Sequence, residues 1–164
     1  MRIHLISTGG TIEKIYSETT GSVVNLETKI DRYLKQLRLP DAELDAVSLM
    51  NIDSLEMTQA DREKLLEVLS TRLDAPVVIT HGTDTLVETG LFIKSRVAQL
   101  TYPVILTGAM SPLGFERSDG LQNLTESLLA ARLLQPGVWL VIHNQVFPID
   151  RVRKDREHAR FVSV

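Results

Sequence analysis

Three short segments of this sequence set hydroxyl side chains beside glycine: Ser7-Thr8-Gly9-Gly10-Thr11, Thr80-His81-Gly82-Thr83-Asp84 and Thr107-Gly108-Ala109-Met110. Glycine lets backbone N–H groups approach a ligand closely, and an adjacent threonine hydroxyl can donate, accept or attack. A hydroxyl becomes a nucleophile only when a base draws off its proton. A lysine kept neutral by desolvation or by neighbouring charge can be that base, and a carboxylate can orient the set. Serine and threonine also favour turns and helix caps. Taken one segment at a time, both the catalytic and the turn reading stand.

The elements that would carry these segments are legible from apolar patterning. Apolar, β-branched runs of strand length occupy residues 3–6, 44–49, 77–80, 104–107 and 138–143. Helical spacing separates them: Leu26, Ile30, Tyr33 and Leu37; Leu66, Leu69 and Leu73; Leu86, Gly90, Ile93 and Val97; Leu121, Leu124, Leu128 and Ala131. Thr58 followed by Asp61 forms a capping box with Asp in place of Glu and predicts a helix start near Gln59. Alternating strands and helices predict an α/β, doubly wound, mainly parallel sheet with helices on both faces. With 164 residues the chain is expected to form a single domain over residues 1–164. Sheets of this kind bind ligands beyond the carboxyl ends of their strands, where the three glycine-hydroxyl segments fall.

Composition removes several classes. A net charge of -3 argues against a nucleic-acid binder, which needs a basic face. Without cysteine there is neither a disulfide framework nor a thiolate metal cluster. His4, His81, His143 and His158 lack close metal-ligand spacing, so no metal is expected, and His4 and His143 read as satisfied core histidines in strand runs. Thr8-Gly9-Gly10-Thr11 lacks the third glycine of the dinucleotide fingerprint, and there is no phosphate-loop motif. The short N-terminal apolar run meets glycines at once, unlike a signal peptide, and no segment has the length of a membrane span. The expectation is a cytoplasmic protein with a small-molecule partner and no membrane or nucleic-acid contact.

Taken in order, the motifs resemble the bacterial-type L-asparaginase family: Thr8-Gly9-Gly10-Thr11-Ile12, Asp53-Ser54, Thr80-His81-Gly82-Thr83-Asp84-Thr85, Gly108-Ala109-Met110-Ser111-Pro112 and Asp119-Gly120-Leu121-Gln122-Asn123-Leu124. The resemblance implies that Thr11 is the nucleophile, with Thr83 across the amide as the alternative for that role, and that Thr83, Lys154 and Asp84 form a Thr-Lys-Asp triad. Lys154 lies in Arg151-Val152-Arg153-Lys154-Asp155-Arg156, which by composition alone reads as a solvated charged face. The resemblance implies that Asp53 and Ser54 bind substrate, Ser54 matching a residue that holds the α-carboxylate, and that Asp84 is the carboxylate that pairs with the α-ammonium. Leu55 stands where many relatives have a polar residue. Residues 13–25, with Tyr16, Thr19, Thr20 and Gly21, resemble a mobile lid whose tyrosine works with Thr11. Backbone N–H groups near Gly82 and Thr83 are candidate oxyanion donors.

The implied activity is hydrolysis of L-asparagine to L-aspartate and ammonia through a threonyl ester, with no cofactor. The chain corresponds to the N-terminal catalytic half of the family, so a short form working as a homo-oligomer is expected. Two rivals share the fold: an ammonia-supplying amidase subunit of a tRNA-dependent amidotransferase, and a noncatalytic amino-acid-binding regulator. Ammonia release without tRNA or partner separates them from the simple hydrolase.

Overall fold

A computed structural model describes residues 1–26, 28 and 30–164. The main sheet has six strands, and its first five in spatial order are parallel. They are β4 (Glu43–Ile52), β1 (Arg2–Gly9), β5 (Val77–Thr80), β6 (Pro103–Thr107) and β7 (Gly137–Ile142), with β8 (Gln145–Pro148) antiparallel at the far edge. The chain runs from β1 out to β4, then returns past β1 to β5. The winding direction therefore reverses at the β1–β5 junction, the place where such a sheet opens a crevice.

Strand residues alternate between two cores, which is why these runs read as apolar throughout. Ile6, Val77, Ile79, Val104, Leu106 and Leu140 face one side, packed under α2 (Gln59–Ser70) and α3 (Leu86–Arg96). Ile3, Leu5, Val78, Ile105 and Val141 face the other, under α1 (Ile30–Leu34) and α4 (Gly120–Ala130). The α/β class and the two-faced helix layer follow the sequence expectation. Thr58 and Asp61 form the predicted capping box, with Asp61 N–H donating to Thr58 Oγ1 at 3.3 Å and Thr58 N–H to Asp61 Oδ2 at 2.8 Å. The spacing from Leu26 to Leu37 yields helix only over Ile30–Leu34, positions 27 and 29 of that segment lying outside the described residues. No described helix is long and apolar enough to cross a membrane.

The carboxyl ends of the parallel strands are tied by hydroxyl rungs. Thr8 Oγ1 donates to Thr80 O at 2.8 Å, Thr107 Oγ1 to Val141 O at 2.7 Å, and His81 N–H to Thr107 O at 2.8 Å. Beyond β6, Asp119 gathers the Met110 and Ser111 N–H groups at 3.0 and 2.9 Å, His143 Nε2 at 2.7 Å and Asn123 Nδ2 at 2.9 Å. Asn123, fully buried, also donates to Gly108 O and accepts from His143 N–H, each at 2.9 Å. Burial pushes the Asp119 carboxyl up, but these backbone and histidine donors together hold it below its ordinary value of 3.8. His4 is the core histidine expected, 3% exposed and bonded to Asp45 and Asp74. His143 is not: it sits past the end of β7 at φ 52, and with Asn144 at φ 59 makes the two-residue turn into β8.

Two small hairpins and the 3-10 turns beside them escape apolar periodicity. The strands β2 (Ile15–Ser17) and β3 (Ser22–Val24) form a hairpin beside the 3-10 turn Thr11–Glu13. The strands β9 (Val152–Asp155) and β10 (Arg160–Ser163) form a second hairpin, preceded by a 3-10 turn at Ile149–Arg151. Buried Val152 and Phe161 root this second hairpin in the core beneath α3. Its approach depends on Gly90, where a Cβ would lie 2.4 Å from Ile149 Cγ1.

Two outcomes follow from these contacts. Gly90→Ala gains helix propensity yet forces Ile149 aside, so chemical denaturation is expected to show a net loss of about 1–3 kcal/mol; unchanged stability contradicts the close packing. For Asp119, a carboxyl held below its ordinary value contributes stability above that value and loses it as pH falls through the folded-state pKa. Asp119→Asn is thus expected to be the less stable protein at neutral pH, with the gap to wild type closing below pH 3.8. A gap that stays constant with pH contradicts this.

Candidate active site

The geometry of the site begins with a contact between two backbones. At the end of β1, Gly10 has φ 77, and a Cβ on it would lie 2.3 Å from both Cα and N of Gly82. Gly82 is equally constrained on its other side, where a Cβ would meet Ser54 Oγ at 2.4 Å. Glycine at both positions therefore lets the ends of β1 and β5 and the loop after β4 converge. Thr11, Thr83 and Ser54 each adjoin this contact, so the structure brings together three of the residues singled out in the sequence.

The fourth arrives from the distant hairpin. Lys154, third residue of β9, reaches Thr83 Oγ1 at 2.7 Å and Asp84 Oδ1 at 3.1 Å. Its side chain is 15% exposed although it stands in a run of charged residues. Strand alternation explains this: Val152 goes to the core, Lys154 lies on the same side, and Arg153 points away into solvent. Arg156, just beyond β9, places Nη1 2.5 Å from Asp84 Oδ1. Nothing in the composition distinguished Arg156, but continuing the two-residue period from Lys154 leads to it.

His81 orients the turn bearing Thr83. Its Nδ1 lies 2.8 Å from Gly82 O, an atom that only accepts, so the ring proton is on Nδ1 and Nε2 rests 3.1 Å from Met57 Sδ. Complete burial lowers its pKa to about 4; the Gly82 carbonyl opposes that shift, and the nearby Arg62 charge reinforces it. His81 is thus neutral near pH 7 and serves as a fixed donor rather than a base. The N–H groups of Gly82 and Thr83 have no backbone acceptor among the described residues.

On the other flank, Asp53 Oδ2 receives Lys14 Nζ at 2.5 Å and its Oδ1 receives Leu55 N–H at 3.0 Å. The Lys14 hydrogen bond, opposed by partial burial, holds the Asp53 carboxyl below the usual carboxylate range. Asp53 therefore clamps the base of the β2–β3 hairpin to the loop after β4. Asn25 fixes the other leg, donating to Gly10 O at 3.0 Å and to Asn51 Oδ1 at 2.8 Å. Lys14, Val23, Val24, Asn25 and Asp53 line a cleft of about 280 Å³ under the hairpin. The segment expected as a lid is this hairpin. Tyr16 lies on β2, 59% exposed, and its hydroxyl bonds to no described group. Inside the turn after Thr11, buried Glu13 is bonded to Ser7, and burial raises its pKa against the hydrogen bonds from Ser7 and Thr28. Lys14, Asn25 and Arg156 went unassigned in the sequence because each acts through a partner distant along the chain.

Comparison with known proteins places the chain in a family. The family model described as "Asparaginase, N-terminal" matches residues 2–161. The L-asparaginase of Thermococcus kodakarensis is 30% identical over 157 residues, covering 94% of this chain and 48% of that protein. L-asparaginase 1 of Escherichia coli K12 is 30% identical over 160 residues, covering 93% and 47%. The solved structure of the thermostable L-asparaginase from Thermococcus kodakarensis superposes with a TM-score of 0.89 at 28% identity, over 100% of this chain and 51% of that one. The chain thus spans about half the length of the curated relatives it matches. By this match, its fold and its order of motifs, the chain belongs to the asparaginase family, corresponding to its N-terminal domain.

Proposed function

We propose that the chain hydrolyses the side-chain amide of L-asparagine to L-aspartate and ammonia. The observation that carries this reading is the Lys154 Nζ to Thr83 Oγ1 hydrogen bond of 2.7 Å, with Asp84 3.1 Å from the same nitrogen. A hydroxyl, an amine able to take its proton, and a carboxylate to orient the amine are the parts an amide hydrolase without cysteine requires. The L-asparaginases among its relatives supply the substrate.

In this reading Thr11 attacks the amide carbon, its proton goes to the departing ammonia, and an aspartyl ester remains on Thr11. Thr83, its proton drawn by Lys154, activates the water that cleaves the ester. The Gly82 and Thr83 N–H groups face the oxygen that gains charge in the tetrahedral intermediates. Asp84 takes the α-ammonium, and Ser54 the α-carboxylate. Tyr16 is brought over Thr11 by closure of the β2–β3 hairpin, which also excludes water from the first step.

Purified protein incubated with L-asparagine, without tRNA or a partner chain, is expected to release ammonia. Thr11→Val and Lys154→Met are each expected to lower that rate by roughly a hundred- to ten-thousandfold while near-ultraviolet circular dichroism stays native. Ammonia release by Lys154→Met at the wild-type rate removes the triad, and no release by the wild type removes the activity.

A further inference from the structure

Asp84 offers its carboxylate to more than the catalytic lysine. Its Oδ1 accepts from Lys154 Nζ at 3.1 Å and from Arg156 Nη1 at 2.5 Å. The Arg156 side chain is 63% exposed and belongs to the β9–β10 turn, so packing does not require it there. The other carboxylate of the site, Asp53, is occupied by Lys14 at 2.5 Å. Lys14, Lys154 and Arg156 thus face Asp53 and Asp84. A zwitterionic amino acid whose amide reaches Thr83 has an ammonium group to place, and each carboxylate beside it already holds a cation. Asp53 is tied into the hairpin base, whereas Arg156 is tethered only by its own exposed side chain.

We propose that Arg156 is a specificity-determining residue that competes with the substrate α-ammonium for Asp84, weakening capture of free amino acids relative to amides whose α-nitrogen carries no charge. This rests on the asparagine-hydrolysing reading above. In this proposal the guanidinium yields its place at Asp84 as the ammonium enters, so the strength of the pair appears as a higher KM for L-asparagine. An exposed pair of this kind is worth up to about fivefold in affinity. A substrate such as N-acetyl-L-asparagine has no ammonium to place and does not have to displace the guanidinium.

The test uses Arg156→Gln, which keeps a polar side chain without the charge. Arg153→Gln is the control, making the same change in net charge on the solvent-facing side of β9. Steady-state ammonia release is measured with L-asparagine and with N-acetyl-L-asparagine, and binding of L-aspartate is followed by calorimetry. In Arg156→Gln, KM for L-asparagine is expected to fall about fivefold and L-aspartate to bind more tightly by a similar factor. N-acetyl-L-asparagine is expected to show no such gain, and Arg153→Gln to behave as wild type. An L-asparagine KM in Arg156→Gln that is unchanged or raised overturns the inference, as does an equal effect of Arg153→Gln. Tighter L-aspartate binding with no ammonia release from any variant retains the competition at Asp84 and rejects the hydrolytic reading. Absence of L-aspartate binding in both wild type and Arg156→Gln rejects Asp84 as an ammonium subsite, and the inference with it.

Discussion

The contact between Gly10 and Gly82 sets the distance on which the rest of the site depends. A Cβ on Gly10 would lie 2.3 Å from the Gly82 backbone, and one on Gly82 would lie 2.4 Å from Ser54 Oγ, so side chains at these positions would push the three segments apart. With hydrogen in both places, the peptide leading to Thr11 lies against the peptide leading to Thr83. The reversal of winding between β1 and β5 opens a crevice there, and the hydroxyl rungs at Thr8 and Thr107 keep neighbouring strand ends in register around it. Sheet topology thus provides the space, and two absent side chains provide the proximity.

Reactivity comes from outside the sheet. Lys154 reaches Thr83 only because the β9–β10 hairpin is rooted by Val152 and Phe161 in the core and because Ile149 lodges against Gly90 of α3. Once there, its amine shares Asp84 with Arg156, so the carboxylate that orients the proposed base is also contested by the Arg156 guanidinium. The opposite rim is built differently: Lys14 and Asn25 pin both legs of the β2–β3 hairpin. One hairpin supplies an amine bonded to Thr83 and the other an exposed phenol, Tyr16.

The parallel strands β1, β5, β6 and β7 were legible in the sequence because they are largely buried on both faces, whereas the edge strand β4 is only partly buried and carries Asp45 and Ser48 within its apolar run. Ile79 and Val78, adjacent in β5, belong to opposite cores, which leaves no polar position to interrupt the pattern. The capping box at Thr58 was legible for a local reason, since both its partners lie within one turn. The hairpins were not, because residues 15–24 and 152–163 are short, polar and held by contacts with remote segments. His143 shows the same limit: an apolar run carried it in appearance into β7, while its bond to Asp119 and its left-handed backbone place it in a turn. Of the site, the three glycine-hydroxyl strand ends could be found from spacing. The position of Lys154 came through family resemblance, and Arg156 came only with the folded hairpin.

The central claim is that two threonines meeting across a glycine contact divide the reaction, Thr11 carrying the ester and Thr83 preparing the water. Mass spectrometry of protein quenched during turnover of L-asparagine tests this most directly, using Thr83→Val to slow breakdown of the ester. The account predicts a mass gain of one aspartyl group that maps to the peptide containing Thr11. An aspartyl group on the peptide containing Thr83 in wild-type protein, or continued ammonia release by Thr11→Val, contradicts it.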